Sequence, residues 1–120
     1  LFYLITVWGT AFAKGVKCML EKLVHIDEIE GLCQNCSSVA IGGQSVFLQP
    51  MKLVRELIKS GNSSLAVIAS PVGGLGIDML IGANVVQSLD FAQMSLWEYG
   101  MAPNMRRFAE TGRIALREYA

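Results

Sequence analysis

Histidine, proline and charge are all scarce in this chain. There is 1 histidine in 120 residues, at His25, so a Ser-His-Asp triad or a histidine-rich metal site has almost no material to draw on. Only 3 prolines occur, which rules out a proline-rich linker or recognition tract. Charged residues make up 17% of the sequence, and the 10 basic and 10 acidic side chains cancel. No basic stripe stands out, so nucleic acid is not an expected partner. The 3 cysteines, Cys18, Cys33 and Cys36, are an odd number and do not suit a secreted disulfide framework. A reduced, cytoplasmic chain is the expectation. The apolar stretch from Leu1 to Ala13 falls short of the roughly 20 residues a spanning helix needs, so no membrane is implied. Its Ala11-Phe12-Ala13 resembles a signal-peptidase site, but no initiating Met or charged region precedes it. Residues 1–19 read as an apolar extension of unknown role, and 20–120 as the domain.

Apolar residues and glycine are what the chain has in quantity. Hydrophobic residues reach 52%, too many for disorder and enough for a core. Most of the 12 glycines close apolar runs, as turn residues do. Leu23 to Cys33 has apolar residues at spacings of three and four and reads as an amphipathic helix. Ser37 to Ile41 reads as a short strand ended by Gly42-Gly43. Pro50 to Ser60 is the clearest helix, with Pro50 at its start, one apolar face and Gly61 beyond its end. Leu65 to Ala69 is apolar without alternation, which predicts a central parallel strand covered by helices on both faces. It runs into the loop Ser70 to Gly76. A short helix over Asp78–Ile81, a strand over Val85–Phe91, a helix over Pro103–Glu110 and a final polar strand over Arg113–Glu118 complete the pattern. Alternation of this kind predicts an α/β fold with a parallel sheet and right-handed crossovers.

Chemistry is thinly marked. Gly42-Gly43 and Gly73-Gly74-Leu75-Gly76 each follow a strand, and ligands of parallel sheets bind outside the carboxyl ends of strands. Backbone amides there suit a carboxylate, a phosphate or an oxyanion, although from composition alone glycines that merely turn the chain are the favoured explanation. Neither loop is a dinucleotide fingerprint or a P-loop. Cys33-Gln34-Asn35-Cys36, with Cys18 and His25, offers four soft ligands for zinc, but at unfamiliar spacing. Glu28 and Glu30 read as a solvated helix face and Arg106-Arg107 as the wet side of a helix. Met79, Met94, Met101 and Met105 read as core or interface filler.

Several segments resemble the A (alpha) subunit of family I coenzyme A-transferases, in particular the glutaconate CoA-transferase-like branch. Ser38-Val39-Ala40-Ile41-Gly42-Gly43 is similar to an early strand and turn of that family, and Gln49 to Ile58 to the helix after it. Leu65 to Gly74 is similar to the next strand and loop. Gly76-Ile77-Asp78-Met79-Leu80-Ile81-Gly82-Ala83 is the most specific match, with Tyr99 to Arg107 next. The likeness extends over about Leu23 to Glu118. Gln44 departs from it, standing where the family usually has Phe.

The resemblance implies an open, mostly parallel α/β sheet with flanking helices, NagB/RpiA/CoA-transferase-like and incomplete here. It implies exchange of CoA between an acyl-CoA and a carboxylic acid, with coenzyme A esters as substrates and no separate cofactor. The nucleophilic glutamate would belong to a B (beta) subunit, since no carboxylate here lies in a matching segment. No catalytic or metal residue is therefore assigned. Gly42, Gly43, Gln44, Gly73 and Gly74 are the expected substrate-binding residues. Two alternatives stand beside this reading: a subunit of a cyclic acyl-CoA hydrolase on the same scaffold, and a non-catalytic assembly module.

Overall fold

The computed structural model describes residues 28–119. The element order is α1 (Glu28–Gln34), β1 (Ser38–Ile41), α2 (Met51–Lys59), β2 (Leu65–Ala69), β3 (Val72–Gly73), α3 (Leu75–Gly82), β4 (Val86–Phe91), β5 (Gln93–Met94), a 3-10 turn (Trp97–Tyr99), α4 (Pro103–Glu110) and β6 (Ala115–Glu118). Strands β1, β2, β4 and β6 form one parallel sheet in that order. The α/β alternation predicted from the sequence is therefore the architecture found. Of the first predicted helix, residues 23–27 lie outside the described residues, as do Cys18, His25 and the whole of 1–19.

Local chemistry accounts for most elements. In α2, Leu53, Val54 and Leu57 are buried while Lys52, Arg55 and Lys59 are exposed, the division expected of a 3.6-residue repeat. Helix α4 starts at Pro103, where a missing N–H costs nothing. It ends before Gly112, which takes the left-handed φ of +65°. The core gathers Val54, Leu57, Leu65, Val67, Ile77, Leu80, Ile81 and Leu89 between helices and sheet.

One expectation fails. Strand β2 is not buried on both faces. Leu65, Val67 and Ala69 are buried, but Ile68 is 46% exposed. The reason lies in the topology. The strands follow one another across the sheet in chain order, and right-handed crossovers taken in one direction all fall on one face. The helices accordingly pack in a row, α1 on α2, α2 on α3 and α3 on α4. Register places Ser38, Ala66, Ser88 and Ala115 in one row of the other face. Ala40, Ile68, Asp90 and Arg117 form the next row. Ala40, Ile68, Ala115 and Arg117 are exposed, and no described helix covers them. The Leu65–Ala69 run misled because Ala66 and Ile68 are apolar on a face that the described residues leave open.

Candidate functional site

Strands β1, β2 and β4 are parallel, so their carboxyl ends meet at one rim. Three loops leave that rim, and backbone hydrogen bonds tie them together. Ser70 N–H donates to the Ile41 carbonyl at 3.2 Å, and Ser45 N–H to the Val72 carbonyl at 3.2 Å. Leu75 N–H donates to the Ser45 carbonyl at 3.0 Å. Further along, β3 pairs in parallel with β5, and Ser95 N–H donates to the Gly73 carbonyl at 3.0 Å. Gln44 bridges to Val72 on the opposite side of β3. The rim thus carries a second, smaller sheet across the ends of the main strands. Nothing in the sequence marked β3 and β5, because two-residue strands have no periodicity to read.

The five residues expected to bind substrate are brought together, but in two different settings. Gly42 and Gln44 are exposed and Gly43 is half-buried, whereas Gly73 and Gly74 are buried. Gly74 is needed for packing: a Cβ there would run into the backbone of Ser45. Its carbonyl is also taken, accepting from Asp78 N–H at 2.9 Å. Gly43 has φ +122°, a conformation that side chains rarely tolerate, and a Cβ there would stand 2.5 Å from Gln49 Nε2. Tight joining of two loops therefore explains Gly74, and close packing within its own loop explains Gly43, without any ligand.

The loop between β1 and α2 is built as a narrow turn. Gln44 N–H donates to the Phe47 carbonyl at 3.0 Å and Phe47 N–H to the Gln44 carbonyl at 2.7 Å. Ser45 and Leu48 take left-handed φ values of +53° and +54°. For non-glycine residues that costs about 1 kcal/mol each. Phe47 and Leu48 project from the tip, 60% and 78% exposed. Ser45 and Gln49 turn inward instead and are buried, and neither Ser45 Oγ nor Gln49 Oε1 has a hydrogen-bond partner. Sequence reasoning passed over both residues. A serine and a glutamine in a polar loop carry no special pattern, and only burial makes them notable.

Behind the rim, Asp78 on α3 holds the start of α4. Its carboxylate accepts from Met105 N–H at 2.8 Å and from Asn104 Nδ2 at 2.9 Å. Ala102, at the N-cap of α4, offers no side-chain cap, so Asp78 supplies one from the neighbouring helix. The contact joins Gly76–Ala83 to Tyr99–Arg107, the two segments with the most specific resemblance. Asp78 is therefore a structural acid, buried and engaged.

The other sequence candidates take bland roles. Arg106 pairs with Glu110 at 2.9 Å, which raises its pKa. Arg107 donates to Asn104 Oδ1 at 3.2 Å and lies over the Phe108 ring. Glu28 and Glu30 are exposed on α1. Met94 and Met105 are buried, Met79 is half-buried, and Met101 is exposed at 61%, so it is not core filler. Cys33 and Cys36 are buried free thiols beside an apolar cavity of about 20 Å³ between α1 and α2, away from the rim. Burial, with smaller repulsion from Cys36 and Glu56, pushes the Cys33 thiol up to about 11. Burial also raises the Cys36 thiol, against a smaller opposing effect of the Ser38 backbone. A neutral, buried thiol is a poor nucleophile. Among the described residues, no three His, Cys, Asp or Glu side chains cluster as a metal site. Among those residues, too, no helix is long and apolar enough to cross a membrane.

No protein-family profile matches the chain, and no curated protein matches it. Among solved structures it is similar to a cysteine-to-serine variant of the decarboxylase AibA/AibB. The TM-score is 0.66 at 28% identity, over 77% of this chain and 37% of that one. The chain thus spans little more than a third of that neighbour's length. The scaffold is CoA-transferase-like.

Proposed function

We propose that the chain is the A-subunit portion of a CoA-transferase, moving CoA between an acyl-CoA and a carboxylic acid. The observation that carries the reading is the fusion of the β1 and β2 loops into one surface at the carboxyl rim of a CoA-transferase-like sheet. A parallel sheet offers its ligands that rim. Residues 42–49, 70–75 and 92–96 contain no Asp or Glu, and Glu98, exposed in the 3-10 turn, is the one carboxylate between β5 and α4. Asp78 is committed to α4. The reading needs a carboxylate nucleophile from another polypeptide, the B subunit, as the resemblance implies. The two components in the neighbour's name, AibA and AibB, agree with that need.

In the proposed reaction, the partner's glutamate attacks the thioester carbonyl to give a mixed anhydride, expelling CoA thiolate. The thiolate returns to the glutamyl carbonyl, leaving a glutamyl-CoA thioester and the free acid. A second carboxylic acid reverses both steps. Covalent catalysis of this kind divides one difficult exchange into easier ones. This chain's part is to hold substrate at Gly42, Gly43 and Gln44, where Gly42 and Gln44 are open to solvent and Gly43 is half-buried. Gly73 and Gly74 support that surface from beneath.

A second reading rests on the neighbour's own activity. That protein is a decarboxylase, which favours loss of carbon dioxide from a bound acid on the same scaffold. Hydrolysis of a cyclic acyl-CoA is the third chemistry in view. The full-length polypeptide, reconstituted with its partner, separates them in one experiment. Transfer is expected to give acyl exchange and a trappable glutamyl-CoA adduct on the partner. Carbon dioxide release without exchange would replace it with decarboxylation, and net ring opening with hydrolysis. An ordered monomer binding no CoA ester would leave a non-catalytic assembly module.

A further inference from the structure

The turn that follows β5 is firmly built, yet it puts apolar surface into water. Leu96 N–H donates to the Gly100 carbonyl at 2.8 Å, and Gly100 N–H to the Trp97 carbonyl at 3.0 Å. Trp97 N–H donates to Ser95 Oγ at 2.9 Å, and Ser95 N–H to the Gly73 carbonyl at 3.0 Å. Leu96 packs against the core. Trp97, Tyr99 and Met101 face outward instead, exposed at 62%, 72% and 61%. Of the nine large hydrophobic side chains exposed among the described residues, three thus fall within five positions. A single exposed apolar residue needs no explanation, but a cluster of them marks an interaction surface.

Backbone strain makes the same point independently. Trp97 has φ +60°, a left-handed conformation that is an outlier for a bulky side chain. Glycine or asparagine closes such a turn with little strain. The chain holds a tryptophan there and turns it to solvent. Strained residues persist where the conformation they impose is used.

Position names the occupant. Val72 of β3 has Gln93 of β5 on one side and Gln44 on the other. Gln93 therefore lies two strand spacings from Gln44, about 10 Å. The Trp97 turn continues from β5 along this rim, beside the surface proposed to hold the thioester. A polypeptide that brings a carboxylate to that surface has to lie over the same rim. Aromatic side chains and Met are the types enriched where two proteins meet, and Trp and Tyr the types that dominate the binding energy. Glu98, exposed between the two aromatic residues, adds one negative charge.

We propose that Trp97, Tyr99 and Met101 anchor the partner subunit, whose facing surface is an apolar pocket with a basic side chain at its edge opposite Glu98. The proposal rests on the two-subunit transferase reading above and names the contact that holds the partner over the rim.

The test uses the full-length polypeptide and its purified partner, with the variants Trp97→Asn, Tyr99→Ser and Glu98→Lys. Asparagine tolerates the left-handed backbone, so Trp97→Asn is expected to keep the Tm of the polypeptide alone at or above that of wild type. Association with the partner, read by sedimentation, is expected to weaken by about tenfold or more in Trp97→Asn and Tyr99→Ser. Glu98→Lys is expected to weaken it about threefold, and more at low salt than at high salt. At saturating partner, acyl exchange is expected to run at the wild-type rate, because none of these side chains holds substrate. A Tm of the polypeptide alone lowered by several degrees in both Trp97→Asn and Tyr99→Ser would show the turn covered by its own chain and overturn the proposal. Unchanged association in those two variants, with acyl exchange intact, would overturn it and leave the transferase reading standing. Weakened association, in a complex whose wild type shows no acyl exchange, would uphold the anchor and sink the transferase reading. If the wild-type polypeptide bound no partner, both would fall together.

Discussion

The helical face of the main sheet and its bare face are built from alternate residues of the same strands, yet they are chemically unlike. Val39, Val67 and Leu89 point into the helices and are at most 3% exposed. Their neighbours Ala40, Ile68 and Asp90 point the other way, and Asp90 is tied to Arg117 at 2.6 Å. The difference shows where the described residues keep their stability. Packing against α2, α3 and α4 holds the sheet, while the bare face contributes little beyond an ion pair. A strand's alternation is strict, so every apolar residue on the bare face is either idle or waiting for cover.

Substitutions sharpen the contrast in order of size. Leu89→Ala, on the helical face, should cost about 3 kcal/mol in chemical denaturation, through lost transfer energy and a residual cavity. Asp78→Ala comes next, at about 2 kcal/mol, because it strips one buried and one part-buried hydrogen bond from the start of α4. Asp78→Asn should recover part of that loss. Ile68→Ala, on the bare face, should cost about 0.5 kcal/mol in the 120-residue chain. A loss near 2 kcal/mol in a longer polypeptide would show that this face is covered there, and would erase the contrast. Glu110→Gln, which breaks the solvent-exposed pair with Arg106, should leave the denaturation midpoint essentially unchanged.

Acid titration gives a last, small effect. Hydrogen bonds from Lys52 and then Lys59 hold the Glu56 carboxyl below its ordinary value of 4.5. A depressed acid stabilises the fold at pH values above its unfolded pKa, and that contribution disappears as pH falls through the folded value. Stability of wild type should therefore drop more steeply than that of Glu56→Gln as pH goes below about 4.5. Equal acid slopes for the two proteins would remove Glu56 from the account.

Much of the fold was legible because its elements carry local signatures. The spacing of Leu53, Val54 and Leu57, the Pro103 start of α4 and the Gly112 stop each depend on residues close in sequence. The rim was half legible. Gly42-Gly43 and Gly73-Gly74 were visible as loops at strand ends, and the parallel sheet does bring them together. Their division into an exposed and a buried pair was not visible, because it depends on Ser45 crossing beneath Gly74. Ser45, Gln49 and the capping role of Asp78 stayed hidden for the same reason: an ordinary polar side chain becomes significant only when its surroundings exclude water.

The sequence determined where the main-sheet strands and the helices between them lie, since periodicity, proline and glycine act on the backbone over a few residues. It also determined that residues 42–49, 70–75 and 92–96 carry no carboxylate. Tertiary structure alone decided which face of Leu65–Ala69 is buried. Strand order sets the side on which crossovers fall, and strand order is a relation among segments far apart in the chain. It likewise decided which polar atoms lost their water, because desolvation is a property of the packed molecule and not of any residue in it.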